Sequence, residues 1–217
     1  ITTKFGDRLT SYAYDDAFGK GQLTAITNAV GQTTRFDYDV MGRVNKITYP
    51  DGRVLTKSYD FEGNLLSLTP PGRSEHLFHY NSVGRTTDYV PPTLTEVSNP
   101  VTDYVYDRDR KLTSITRPDG QQLVYAYKPG STLLDKLVTP LGSYQYGYNG
   151  NQQLAQVVAP SGDALSTSYD GDLVTGQQWS GVVRGAVAWE YNSDFAVKRQ
   201  CVNGDCIDVS YDADGLV

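Results

Sequence analysis

The stretch "YDVMGRVNKITYPDGRVLTKSYD", residues 38–60, begins and ends on Tyr-Asp, its two tyrosines 21 residues apart. Between the copies lie Gly42-Arg43 and Pro50-Asp51-Gly52. A single hairpin flanked by chance dipeptides would read this way, and so would one unit of an array; the rest of the chain decides. The tyrosine recurs at Tyr14, Tyr38, Tyr59, Tyr80, Tyr106, Tyr127, Tyr148, Tyr169, Tyr191 and Tyr211, at intervals of 24, 21, 21, 26, 21, 21, 21, 22 and 20. Tyr38, Tyr59, Tyr106 and Tyr148 are followed six residues later by Val44, Leu65, Leu112 and Leu154, and twelve later by Pro50, Pro71, Pro118 and Pro160. The two long intervals are insertions at turns, in Phe18–Gly21 and in Pro91–Pro100. Self-similarity at a fixed period is the signature of a repeat architecture. The chain is an array.

Each unit reads as two short strands and two turns. Tyr144/Tyr146/Tyr148, Val187/Trp189/Tyr191, Leu165/Thr167/Tyr169 and Ile207/Val209/Tyr211 alternate with polar residues at period two, the pattern of a strand with one covered face. In the second half of the unit Val44 and Ile47, or Leu112 and Ile115, stand three apart, a helical spacing. About five residues between breaker-rich turns are too few for a helix, so a β-bulge, or a strand apolar on both faces, is expected there. After the tyrosine comes Asp39, Asp60, Asp107, Asp170 or Asp212, or Asn81, Asn149 or Asn192; a short Asx side chain can accept a backbone N–H two residues on. At the other end Pro-Asp-Gly supplies a preset φ and then a glycine for the left-handed position. Two-residue steps between strands force antiparallel neighbours. About ten such units predict roughly 19 strands in one meander, and a sheet that wide curls. The expected fold is therefore all-β: one array over residues 1–217, a continuous antiparallel sheet, curved or spiralling. The repeat tyrosines are expected to be buried and stacked on those of the next unit.

Composition narrows the function classes. Acidic residues number 25 and basic residues 19, a net charge of −6, which argues against nucleic acid as the main partner because phosphate binding needs a concentrated basic face. No apolar run approaches the ~18 residues of a membrane span. The N-terminus, Ile1-Thr2-Thr3-Lys4, has no signal-peptide architecture. The chain stops a few residues into a new unit, at Tyr211–Val217, so it is expected to be a piece of a longer array.

Candidate chemistry is sparse. His76 and His79 are the two histidines; three apart on a strand, they point to opposite faces and cannot readily share a metal. Asp107–Arg110 and Asp212–Gly215 suggest a calcium loop, but the further oxygen ligands and closing Glu that such a loop needs are missing, and turn capping accounts for both. No Gly-x-Ser-x-Gly elbow occurs. The 17 tyrosines could stack on sugars, yet their registration with the repeat favours packing. No catalytic, cofactor-binding or metal-binding residue is expected. The two cysteines, Cys201 and Cys206, flank Asn203-Gly204, the strongest short signal for a type I′ hairpin. That turn sets Val202 opposite Asp205 and Cys201 opposite Cys206, with Cα atoms ~4.5 Å apart. A disulfide is then feasible; a pair of packed reduced thiols is the alternative in a reducing compartment.

The tandem Tyr-Asp-x-x-Gly-Arg-Leu…Ile-Thr-x-Pro-x-Gly pattern resembles the YD repeats of the Rhs family, most clearly in residues 38–52, 106–120 and 148–162. The resemblance covers nearly the whole chain. It implies a strip of β-sheet wound into a hollow shell, as in Rhs effectors and the B and C components of Tc toxins, where the shell encloses a toxic polypeptide. The family's Asp-Pro- and Gly-rich self-cleavage motif is not among these residues, so the chain is expected to be interior wall. The implied function is structural: a segment of a shell in a secreted bacterial toxin protein. Its implied partners are the rest of the shell, an enclosed toxin domain, and secretion or translocation machinery. An exported parent favours the Cys201–Cys206 bridge. The alternative is an extracellular adhesion or carbohydrate-binding repeat module, since a similar barrel occurs in teneurins.

Overall fold

The computed structural model describes residues 2–5, 8–15, 21–92 and 99–216. Most of the two expected insertions, residues 18–20 and 93–98, lies outside them. The described residues form strands and turns with no helix, and the strands number twenty where the repeat count predicted roughly 19.

The chain divides into two compact units, residues 1–105 with 116–120, and residues 106–115 with 121–217. The first carries β1 (Thr2–Phe5), β2 (Arg8–Asp15), β3 (Gln22–Thr27), β4 (Thr33–Tyr38) and β5 (Val44–Thr48). It continues with β6 (Val54–Tyr59), β7 (Leu65–Thr69), β8 (His76–Tyr80) and β9 (Thr86–Val90). The boundary falls at the end of β10 (Thr102–Tyr106) and again within β11 (Leu112–Thr116). The second unit goes on through β12 (Gln122–Tyr127), β13 (Leu134–Thr139), β14 (Gly142–Tyr148), β15 (Leu154–Val158) and β16 (Ala164–Asp170). It ends with β17 (Leu173–Ser180), β18 (Gly185–Tyr191), β19 (Val197–Val202) and β20 (Asp205–Asp208). From β1 to β10 in the first unit, each strand pairs antiparallel with its neighbour in sequence. From β12 to β20 in the second, the same rule holds. This is a meander, as short connections require.

The helical spacing in the second half of each unit is a bulge. Asp37 pairs with Lys46, but Tyr38 pairs with Val44, so Asn45 is an extra residue on β5. Likewise Tyr148 pairs with Leu154 while Gly147 pairs with Gln156, leaving Ala155 over. One inserted residue turns the period of two into three, which carries Val44 and Ile47 to the same face.

Two expectations are corrected here. Many turns are longer than two residues: Asp39–Arg43 and Tyr49–Arg53 each join strands through five, closed by Asp39 N–H to Arg43 O and by Tyr49 N–H to Arg53 O, both 2.9 Å. Gly42 (φ 83°) and Gly52 (φ 81°) take the left-handed position in them, giving the turn-plus-bulge loops that follow two-residue hairpins in frequency. The alternation at Ile207/Val209/Tyr211 does not continue as a strand: β20 stops at Asp208, where the last register pair is Arg199 with Asp208, and Val209 N–H turns to the carbonyl of Lys198, the bulge residue of β19.

Burial follows from a meander with little to cover its faces. Among the described residues only Ala25 and Ser67 are buried. The alternating pattern survives as half-buried against exposed, clearest in β12, where Leu123, Tyr125 and Tyr127 are half-buried and Gln122, Val124 and Ala126 exposed. The repeat tyrosines Tyr38, Tyr59, Tyr80, Tyr127, Tyr148, Tyr169, Tyr191 and Tyr211 are half-buried rather than buried, because a covered tyrosine needs a second layer over it.

Candidate functional site

What the repeat builds is a bracing system. The hydroxyl of each of these eight tyrosines donates to a backbone carbonyl on an earlier strand, the immediately preceding one for the first seven and β19 for Tyr211, which lies beyond β20. Tyr38 reaches Leu23, Tyr59 reaches Val44, Tyr80 reaches Leu65 and Tyr127 reaches Leu112, at 2.7, 3.3, 3.0 and 2.9 Å. Tyr148 reaches Leu134, Tyr169 reaches Leu154, Tyr191 reaches Val174 and Tyr211 reaches Val197, at 2.9, 2.8, 2.7 and 2.9 Å. For Leu23, Val44, Leu65, Leu134, Leu154, Val174 and Val197 the accepting residue is the one just before the bulge. It is also the register partner of the previous repeat's tyrosine: Val44 of Tyr38, Leu65 of Tyr59, Leu154 of Tyr148. One hydroxyl therefore ties each unit to the one before it. It satisfies a carbonyl at a place where the bulge disrupts the ladder.

A second set of bonds joins the turns. Asp39 Oδ1 accepts the N–H groups of Met41 and Arg43, both at 2.9 Å, and its Oδ2 accepts Arg43 Nε at 2.7 Å. Arg43 Nη1 then donates to Asp60 O in the next such turn at 2.7 Å, with the guanidinium 4.7 Å from the centre of the Tyr59 ring. Lys111 repeats the device, donating to Ser131 O at 3.3 Å and lying 5.3 Å from the Tyr127 ring centre. Gln153 does so without charge, through Gly171 O at 2.8 Å. A flat cation over a ring shields one ring face. With their hydroxyls also engaged, Tyr59 and Tyr127 are poorly disposed as a sugar platform. Nor do the repeat tyrosines stack on one another as the repeat suggested; the ring contacts among the described residues join Tyr89 to His76 and Phe78.

The other candidate residues take structural places. His76 Nδ1 lies 2.6 Å from Tyr89 Oη on one face, and His79 pairs with Asp88 opposite it on the other. Asp107 and Asp212 cap turns, accepting the N–H groups of Asp109 and Lys111, and of Asp214 and Leu216. Among the described residues no group of three or more His, Cys, Asp or Glu is arranged to hold a metal, and no helix is long and apolar enough to cross a membrane. Cys201 and Cys206 face each other in the β19–β20 register with Cα atoms 4.0 Å apart and their sulfurs bonded. Asn203 (φ 52°) and Gly204 (φ 97°) form the turn between them. The sequence carried no sign that Asn203 also clasps the next hairpin over: its Oδ1 accepts Ala186 N–H, and its own N–H donates to Ala186 O, each at 2.8 Å.

The turn carboxylates give the array an acid sensitivity. The Arg43 N–H is the main influence lowering the Asp39 carboxyl below its ordinary 3.8, and the Arg53 N–H does the same for Asp51. A carboxylate with a depressed folded value stabilises the fold above the ordinary value, and that stabilisation disappears as pH falls through the lowered one. Thermal melts should therefore lose stability as pH drops below about 4, with Asp39→Asn showing a shallower decline because the cap persists without a titrating group. An identical decline in wild type and Asp39→Asn would contradict this for Asp39.

The family model described as teneurin YD-shell matches residues 1–205. The chain belongs to the YD-shell family. The resemblance to Rhs and Tc repeats thus holds over nearly its whole length. Double-stranded DNA deaminase toxin A of Burkholderia cenocepacia (strain H111) is 30% identical to this YD-shell chain over 138 residues, covering 62% of the chain and 9% of the relative. Toxin protein Tse5 of Pseudomonas aeruginosa is 26% identical over 124 residues, covering 56% and 9%. Teneurin-3 of Danio rerio is 25% identical over 171 residues, covering 69% and 6%. The chain thus spans less than a tenth of each relative. In the crystal structure of TcdB2-TccC3-Cdc42, a chain of which 12% is covered matches 90% of this YD-shell chain with a TM-score of 0.61 at 17% identity. The Tc holotoxin pore of Photorhabdus luminescens matches 89% of it, and is itself covered to 13%, with a TM-score of 0.56 at 15% identity. At such identities the likeness is one of fold.

Proposed function

We propose that this YD-shell chain is a length of wall in a hollow β-shell that encloses a toxin polypeptide within an exported bacterial protein. Its work is mechanical: to hold a sheet together and keep a cargo apart from its surroundings. The observation that carries this reading is the brace from each tyrosine to the unit before it. It invests the repeat's most regular side chain in wall integrity, and no catalytic role falls to these residues. Two relatives that bear the name toxin are each covered to 9%, which leaves ample chain for the rest of a shell and a cargo. The partners are then that remainder, the enclosed toxin, and the machinery that exports or translocates it.

Limited proteolysis of the intact parent protein tests the reading. A cargo polypeptide that persists under native conditions and is cut once the shell is denatured is the expected outcome; cutting at the same rate in both states would refute it. The teneurin relatives favour a second reading, a cell-surface adhesion module. On that reading the parent would bind cells or glycans and shield no cargo.

Export also bears on the cysteines. We expect Cys201 and Cys206 to be bridged in protein made in an oxidising compartment, so that thiol titration of unfolded protein purified without reductant finds none. Two titratable thiols would rule the bridge out.

A further inference from the structure

The proline-bearing turns of the repeat end on different residues. After the turn glycine comes Arg53 in the turn at Pro50, Arg73 after Pro71 and Gln121 after Pro118. In the turn at Pro160 it is Asp163. The turn itself therefore does not call for an acid at this place. Beside the first of these turns lies a notch lined by Thr33, Arg35, Thr48 and Arg53, where Asp51 pairs with Arg53 Nε at 2.6 Å. Beside the turn at residues 159–163 lies an apolar cleft of about 320 Å³ instead. Val157, Leu165, Trp179 and Val183 are among its walls, and Asp163 and Ser180 are its polar residues.

Asp163 is built into the frame of that cleft. Its Oδ1 accepts Val182 N–H at 2.6 Å and its Oδ2 accepts the Ser161 hydroxyl at 2.7 Å, so the carboxylate spans the two turns that border the cleft. Gly181 makes room for it, since a Cβ there would overlap Asp163 Oδ1. The Ser161 hydroxyl, and after it the Val182 N–H, hold the Asp163 carboxyl below its ordinary 3.8, so it is ionised at neutral pH. Both of these partners are neutral. Arg184 in the adjoining turn donates its Nε to Gly181 O at 3.1 Å instead. Among the described residues the Asp163 charge meets no cation. A half-buried charge in an apolar frame carries a desolvation cost that a bound cation offsets. A carboxylate attracts an ammonium group directly, and an indole attracts one that lies over its face. The aliphatic walls take an apolar body, and an apolar cavity of ~150 Å³ already holds benzene.

We propose that the cleft between Asp163 and Trp179 binds a small organic cation, an ammonium group carried on an apolar body about the size of one ring. The ammonium supplies the counter-ion that Asp163 lacks, and the body packs on Trp179, Leu165 and Val183. The net charge of −6 favours the approach of a cation over that of an anion. The assignment holds whether the parent protein shields a cargo or binds cells.

Titration of the isotope-labelled 217-residue chain with phenethylammonium chloride, followed by NMR, tests this. The two tryptophans give two indole N–H signals, which Trp189→Phe assigns; Trp189 does not line the cleft. The Trp179 signal should shift saturably, and the Trp189 signal should stay in place. Phenylethanol, which lacks the charge, and methylammonium, which lacks the body, should each bind about fivefold more weakly or worse. Asp163→Asn keeps an oxygen for the Val182 N–H and loses the charge. It should weaken phenethylammonium about fivefold or more and leave phenylethanol unchanged. Should that variant fail to fold, the ligand series on wild type decides alone. No saturable shift at Trp179, phenylethanol binding as well as the ammonium, or a folded Asp163→Asn with wild-type affinity would each overturn the proposal. Tighter binding of a lysine blocked at both ends would overturn it too, because the ligand would then be a side chain of a polypeptide.

Discussion

Replacing Gly142 with Ala should cost about 3 kcal/mol, as the sum of a strained backbone and an overpacked contact. Gly142 opens β14 at φ 124°, a region outside the left-handed well that residues with a Cβ rarely adopt. A Cβ placed there would stand 2.6 Å from Pro160 Cβ and 3.1 Å from Pro160 Cγ. The proline ring cannot rotate away, so either β14 or the turn at residues 159–163 has to move. Gly150→Ala is the control, since no atom lies within 4 Å of its Cβ position and its φ is not positive. Denaturant titration of both variants checks the difference. Equal midpoints would mean that the strand start adapts freely.

Tyr148→Ala should cost about 2–3 kcal/mol, less than the 3–5 kcal/mol expected for a fully buried aromatic. The ring is half-buried, so truncation forfeits part of the apolar area and leaves solvent, rather than a void, in its place. To this is added the loss of the 2.9 Å bond to Leu134 O and of Lys128 Nζ, 5.7 Å from the ring centre. Tyr148→Phe isolates the hydroxyl and should cost about 1 kcal/mol. If Phe is as costly as Ala, the hydroxyl alone anchors the unit. If neither is measurable, the tyrosine brace does not hold the array together.

Much of this molecule is legible in its sequence because the relevant physics is local. The 21-residue tyrosine interval, the Asx after each tyrosine and the glycine or proline of each turn specify strand, turn, strand without reference to distant residues. The three-residue spacing of Val44 and Ile47 narrows its segment to a bulge or a doubly apolar strand, and Asn203-Gly204 announces its hairpin, because each is a constraint within a few residues of chain. Antiparallel neighbours then follow from short connections.

What lies across the strands was decided by lateral register, which no single strand encodes. A period-two pattern says that Tyr38 and Phe36 share a face, not what covers that face. It reads identically for a deep core and for a half-open meander, and only the fold shows these tyrosines half-buried. Register also delivers the Tyr38 hydroxyl to Leu23 O and Arg43 to Asp60 O, bonds between residues 15 and 17 positions apart. Most remote from the sequence is the cleft around Trp179, whose residues come from three strands and two turns. The sequence determined what each segment is; the pairing of strands determined which segments meet.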